Sequence, residues 1–282
     1  MFKDVTFGQY YPGNSLLHRA DARIKIIVLL IYLVIALAAR SALAVMLAAA
    51  FTLVLIIISR IRIPLLLKTV KPLVFILVFT AVINVFFTSG EGEPLVKAGF
   101  ITIYFEGIRN AVIMFVRLIS IVLGSSVLLS FTTTPIELTD AIESLLSPLK
   151  LIKVPVHEFA MMMSIALKFI PILIEETNKI ISAQKARCAD FETGNVIRRI
   201  KSLVPVLIPL FVSAIRRAEE LADAMECRCY RGGEGRTKLK EQKTRPADWI
   251  MLFCAAAVCA GVIFLNRVWI TEVWQFCRGM FS

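Results

Sequence analysis

The stretch AMECRCYRGGEGRT, Ala224 to Thr237, sets two cysteines around an arginine and follows them with glycines and more arginines. These residue types support four chemistries: metal ligation, dithiol exchange, phosphate binding by a glycine loop, and docking of an arginine onto a partner. A phosphate loop needs GxxxxGK[ST], so that backbone amides and a lysine cradle the phosphates. YRGGEGRT lacks the first glycine at the required distance and has Arg236 where the lysine belongs. No other segment fits, so the chain is not expected to bind ATP itself. A zinc site needs about four ligands. Cys188, Cys227 and Cys229 supply three on two different helices, and the two histidines, His18 and His157, are remote in sequence. C-x-C is a weaker redox signal than C-x-x-C, and His157-Glu158 lacks the second histidine of HExxH. No metal and no cofactor is expected. The plainest role for the cysteines is that of small side chains at close contacts, which also suits Cys254 and Cys259 between membrane helices.

Docking remains. Arginine offers a planar fork of donors for a carboxylate, and small neighbours allow close approach of the backbone. A similar cluster, Ala186-Arg187-Cys188, precedes Cys227-Arg228-Cys229, which suggests two similar acceptors. Spacing alone leaves a second reading equally open: both arginines are solvated helix ends, since cations are favoured near a helix C-terminus.

The elements that must carry these clusters are mostly apolar. The 282 residues are 58% hydrophobic, above the roughly 45–50% of soluble domains. Their mean hydropathy is +0.77. The expected class is an all-α integral membrane protein with about five or more transmembrane helices, an amphipathic surface helix and two long cytoplasmic helices. The net charge of +11 fits lysines and arginines retained in cytoplasmic loops. It does not suit nucleic acid, because the basic residues are scattered between apolar spans without a basic aromatic platform. About 25 polar residues precede the first apolar run, the wrong order for a cleavable signal peptide. The first span is expected to serve as its own insertion signal. Most of the six cysteines should lie in the bilayer or on the cytoplasmic side, where thiols stay reduced, so no disulfide framework is expected.

The expected spans are Ile26–Ala39, Ala42–Ser59, Pro72–Phe87, Ile108–Ser130 and Trp249–Leu265. The first two should form a tight hairpin with Arg40 at the far interface. RIRIPLLLKTVKP, with Arg60, Arg62, Lys68 and Lys71, reads as a basic inner loop. The acidic, Gly-rich segment from Glu91 to Glu106 should face outside, with room for a small hairpin in PLVKAGFITIY. Arg117 falls inside a span, where an arginine is functional, snorkels to the interface, or is structurally paired. Thr134-Pro135 begins an amphipathic surface helix. Two long helices follow, Val156–Asp190 with a kink expected at Pro171, and Arg198–Tyr230. The second has Phe211, Ala214, Ile215, Ala218, Leu221, Ala222 and Met225 on one face. About 30 residues at 1.5 Å each reach about 45 Å, enough to start in the bilayer and project into the cytoplasm. Residues 1–131 thus read as a membrane domain, 132–246 as a cytoplasmic domain with partly embedded helices, and 247–282 as a final span and tail. The N-terminus falls inside and the C-terminus outside.

AQKARCAD and AMECRCYRGGEGRT resemble the two Ala-Arg-Gly signatures of the transmembrane T component of energy-coupling factor (ECF) transporters, the EcfT/CbiQ family. GQYYPGNSLLHRADARIK resembles that family's opening signature, and KFIPILIEE and ITIYFEGI are similar to family segments. The resemblance covers nearly the whole chain. It implies a scaffold in the cell membrane that binds two ABC-type ATPase subunits, identical or paired paralogues, and a membrane-embedded substrate-binding S component for vitamin or other micronutrient uptake, with the two long helices of 132–246 as cytoplasmic coupling helices. Carried over, the ATPase-docking residues are Ala186, Arg187, Cys188, Cys227, Arg228 and Cys229. Cysteine stands in place of the family's glycine at 188 and 229, and of alanine at 227. That argues against a glycine-type backbone at the tips. On the same resemblance, Met161, Met162, Met163, Phe211, Ile215, Ala218, Leu221, Ala222 and Met225 are the candidate S-component surface, because methionine repacks easily; a plain core suits the three methionines as well. The rival reading is a stand-alone secondary transporter, which needs intramembrane charges or broken helices at a midplane site; Arg117, Lys168 and Pro171 are its residues. A membrane enzyme has no nucleophile–base or paired-carboxylate constellation to support it.

Overall fold

The computed structural model describes residues 10–39, 41–87, 96–98, 101–152, 154–189, 191, 196–232 and 244–280. The chain divides into two compact units. One comprises Gly8–Thr134 with Gln242–Ser282, and the other Met1–Phe7 with Pro135–Glu241.

The first unit contains α1 (Leu16–Arg19), α2 (Ala22–Ala38), α3 (Ala42–Ser59), α4 (Ile63–Val70), α5 (Val74–Phe87), α6 (Phe105–Ser125) and the C-terminal helix Pro246–Met280. A three-residue antiparallel ladder pairs β1 (Val96–Ala98) with β2 (Ile101–Ile103), Val96 opposite Ile103. This is the small hairpin expected in PLVKAGFITIY; otherwise the described residues are helical or connecting. Asp21 and Ser41 cap α2 and α3 by accepting the amides of Arg23 and Ala44. Arg40, expected between these helices, lies outside the described residues.

The basic segment after α3 is not a loop. Arg60 ends α3 in a left-handed conformation, the chain is extended at Arg62, and helix resumes at Ile63. A 3₁₀ turn at Lys71–Leu73 joins α4 to α5. The resulting apolar stretch, Ile63–Phe86, starts nine residues before the expected Pro72. Pro64 is tolerated because it sits in the first turn, where amides have no intrahelical acceptor. Pro72 is accommodated where α-helix gives way to the 3₁₀ turn.

Among the described residues five helical stretches are long and apolar enough to cross a membrane: Ala42–Ser59, Ile63–Phe86, Phe105–Ser130, Val156–Ala186 and Pro246–Arg267. The membership differs from expectation at two places. Val156–Ala186 qualifies, whereas α2, with 17 residues, is only about 25 Å long against a hydrocarbon core of about 30 Å. The last carbonyls of a helix have no intrahelical donor, and those of α2 find partners elsewhere. Asn266 Nδ2 donates to Ala38 O at 2.7 Å, and the Arg117 guanidinium donates to Ala39 O. Arg117 is therefore structurally paired, as one of its expected readings had it.

The core of this unit gathers around Tyr32, Val28, Val127, Leu128 and Phe131, all fully buried. The Tyr32 hydroxyl shares a 2.7 Å hydrogen bond with Thr52 Oγ1. Its ring lies against Gly124, where an added Cβ would sit 2.6 Å from Cε1. Glycine is required there by the close approach.

The second unit contains α7 (Pro135–Leu145), α8 (Val156–Ala186) and α9 (Val196–Cys227); the helix Pro246–Met280 is α10. Helix α8 runs unbroken through Pro171, and α9 through Pro205 and Pro209. His157 Nδ1 meets Glu143 Oε1 at 2.9 Å and ties α7 to α8. Helices α8 and α9 pack antiparallel: Glu176 pairs with Arg217 at 3.3 Å, and Gln184 Nε2 donates to Pro205 O at 3.5 Å. The second bond has a local cause. The carbonyl of residue 205 would accept the amide of residue 209, but Pro209 has none, so a side chain from the neighbouring helix supplies a donor.

Candidate functional site

The ends of α8 and α9 are built alike. In α8, the amide of Cys188 donates to Lys185 O at 3.0 Å and that of Ala189 to Gln184 O at 3.0 Å. In α9, the amide of Cys229 donates to Glu226 O at 2.8 Å and that of Tyr230 to Met225 O at 3.1 Å. Each pair of bonds is a Schellman motif, in which the two residues beyond the C-cap return to the last turn. Arg187 and Arg228 are the C-caps, and Cys188 and Cys229 follow at φ +64° and +55°. This left-handed region favours glycine; an L-residue with a Cβ pays about 1–2 kcal/mol there. The expectation that cysteine would remove a glycine-type backbone is thus corrected. The conformation is kept, because two backbone hydrogen bonds at each tip hold it.

Ala186, Arg187, Cys188, Cys227, Arg228 and Cys229 are all exposed. Among the described residues neither guanidinium has a hydrogen-bond or ion-pair partner. A Schellman turn sends the chain sharply away from the helix axis, which leaves the C-cap side chain at the apex.

The antiparallel packing puts the two apices at opposite ends of the helix pair. Gly232, just past Arg228, lies beside Glu158, with an added Cβ 3.8 Å from its Oε1. From Glu158 to Arg187 along α8 is about 40 Å at 1.5 Å per residue. Cys188 is therefore remote from Cys227 and Cys229, and the three thiols do not converge on one metal ion. Among the described residues no cluster of three His, Cys, Asp or Glu side chains is arranged to hold one.

The expected apolar face of α9 splits into two. Leu221 and Met225 are half-buried, in register with Val206, Leu210, Ala214 and Arg217 on the line that packs along α8. Phe211, Ile215, Ala218 and Ala222 form an exposed stripe at i, i+4, i+7 and i+11, one face of a helix. On α8, Met162 and Met163 are exposed and Met161 is half-buried. An apolar groove of about 470 Å³ runs beside the stripe, lined by Leu173, Leu207, Ile208, Leu210, Phe211, Val212 and Ala214. Leu173, Leu207, Ile208, Leu210, Val212 and Ala214 were not among the candidates for this surface. The signal for four of them was the run LVPVLIPLFV, where an apolar residue at nearly every position hides the helical period.

Residues 13–239 match the family model described as cobalt transport protein, CbiQ. A Clostridium kluyveri protein described as energy-coupling factor transporter transmembrane protein EcfT is 49% identical over 270 residues, covering 95% of this chain and 99% of the relative. Proteins of the same description from Acidaminococcus fermentans and Bacillus subtilis are 51% and 42% identical. Each alignment covers 94% of this chain, and 98% and 100% of the respective relative.

Proposed function

The chain belongs to the CbiQ/EcfT family and is the multi-pass transmembrane component of an ECF transporter, and on that premise we propose that its two arginine apices each dock one ABC-type ATPase subunit. Residues 132–246 are the coupling domain, and they and the N-terminus face the cytoplasm. The observation that carries this reading is the repetition: the same exposed Arg C-cap, on the same turn, at both ends of one antiparallel helix pair. Two like apices about 40 Å apart along a pair of helices suit two like partners side by side. With both ends on cytoplasmic partners, α8 and α9 lie along the membrane surface rather than standing through it.

The apolar groove beside Phe211, with the exposed stripe Phe211, Ile215, Ala218 and Ala222, is the seat of the membrane-embedded S component. ATP-driven approach of the two ATPases shortens the distance between Arg187 and Arg228. Helices α8 and α9 are joined by Glu176–Arg217 and Gln184–Pro205, so they turn that displacement into a change of mutual angle. The groove changes shape, and the S component reorients with its vitamin or other micronutrient. Such coupling requires contacts that differ between the two states. ATP is hydrolysed by the partners; the chain itself is not an enzyme but a transporter membrane subunit.

The test is co-purification with the ATPase pair encoded in the same genome, comparing wild type with Arg187→Glu, Arg228→Glu and the double variant. Loss of the complex in a folded double variant supports docking at the apices. Undiminished binding removes it. The secondary-transporter reading draws on Arg117, Lys168 and Pro171, but Arg117 is engaged with the α2 end, Lys168 is exposed and α8 is continuous through Pro171. Substrate uptake by the chain without any ATPase would favour that rival.

A further inference from the structure

Lys25, at the end of the first turn of α2, is only 1% exposed. Its ammonium donates to Thr132 O at 2.9 Å and to Thr133 Oγ1 at 3.2 Å, across more than a hundred residues of chain. An ammonium taken out of water is costly unless donors are matched by acceptors, and Lys can offer three. Apolar packing alone would not select it. Asp21, itself buried, lies four residues back.

The acceptors are specific in position. Helix α6 ends in a π turn, Ser126–Ser130, closed by the amide of Phe131 donating to Ser126 O at 3.0 Å. Single π turns are frequent at functional sites. Phe131, Thr132 and Thr133 follow, all buried, and Thr134 is the last residue of this compact unit before Pro135 opens α7 in the other. Phe131 is also fastened by the N-terminal segment. The Tyr11 amide donates to Phe131 O at 3.1 Å. His18 holds the Tyr11 carbonyl at 2.9 Å and is itself held by Ser15 Oγ at 2.6 Å.

We propose that Lys25 is a positioning residue for energy coupling: with the Tyr11–His18 segment it clamps Phe131–Thr133, the point at which the membrane unit hands the chain to the coupling unit. Rigidity at that point makes movement of the coupling unit act on the membrane unit. A slack exit would absorb the movement, so that ATP is hydrolysed without substrate moving. This inference rests on the ATPase-coupled reading above.

The test uses the full complex of the chain, both ATPases and the S component in proteoliposomes, and measures ATP hydrolysis and ATP-driven uptake on the same preparation. For Lys25→Met the complex assembles at wild-type stoichiometry and hydrolyses ATP. Uptake per ATP falls about tenfold, within the usual range of coupling between sites. Lys25→Arg restores most of it. Thr133→Val, which removes one acceptor, gives a smaller loss in the same direction. Hydrogen exchange on the isolated full chain in detergent rises at amides 131–134 in Lys25→Met and not within α3. Unchanged uptake per ATP in Lys25→Met, or unchanged exchange at 131–134, overturns the proposal, as does a proportional fall of hydrolysis and uptake in an intact complex. If Lys25→Met does not fold, Thr133→Val decides through the same two readouts. If the wild-type complex shows no ATP-driven uptake, the coupling reading fails instead, which the exchange result on the chain alone distinguishes.

Discussion

Arg187 closes α8 and Arg228 closes α9 with the same two backbone hydrogen bonds, and each is followed by a cysteine at positive φ. The repetition extends to chemistry, since both guanidinium groups stand at exposed apices. Two separated pieces of chain have thus been folded to one local shape, and the shape rather than the surrounding sequence is what a partner would meet.

The left-handed cysteines carry the first prediction. Cys188→Gly and Cys229→Gly remove about 1–2 kcal/mol of steric penalty and lose about 0.5–1 kcal/mol to glycine's freedom in the unfolded chain. Each should leave stability unchanged or raise it slightly, with ATPase binding intact. Cys188→Val puts a β-branched side chain at positive φ and should lower the apparent melting temperature in detergent. Equal stability of the Gly and Val variants would show that the turn does not hold the conformation described.

The arginines should be equivalent. Truncating a buried, paired charge at an interface typically costs about 2–5 kcal/mol, so Arg187→Ala and Arg228→Ala should each weaken ATPase binding by about 30-fold to a few thousand-fold. Lysine should rescue only in part, because it lacks the planar fork. Affinity for each purified ATPase, measured with the chain in nanodiscs, checks this. A strong effect at one arginine and none at the other would contradict the symmetry.

Partner selectivity should separate along α9. Phe211→Asp places a charge on the exposed stripe and in the groove, so it should release the S component and leave the ATPases bound. Loss of both together would mean that the substitution unfolds α9 rather than spoiling a surface.

Gly124→Ala should destabilise the membrane unit. The new methyl would lie 2.6 Å from Tyr32 Cε1, and overpacking of this kind costs about 1–3 kcal/mol. Tyr32→Ala should lower stability alone, and lower it by less in the Gly124→Ala background, because the clash is gone. Strict additivity in apparent melting temperature would show that the two residues do not touch.

Arg117→Leu should act on stability and not on transport. It strands the Ala39 carbonyl, and a buried unsatisfied polar group costs about 1–3 kcal/mol. Uptake per assembled complex should stay near wild type. A selective loss of uptake in a stable complex would return Arg117 to a transport role.

Much of this protein is local and so was legible in the sequence. Apolar runs of membrane length, the helical spacing of α7 to α9, the small hairpin after α5 and the two arginine clusters depend on residues within a few positions of one another. Tertiary structure decided what those pieces meet. Nothing near Lys25 in the chain announces Thr132, and nothing near Arg117 announces the end of α2. Pro64 and the lysines around it read as a loop, because position within a helix decides whether proline breaks it. The antiparallel register of α8 and α9 sets the two arginines at opposite ends, and it shows only in contacts far apart in the chain, Glu176–Arg217 and Gln184–Pro205. Periodicity reports which face of a helix is apolar; it carries no information about which other helix covers that face, or in which direction it runs.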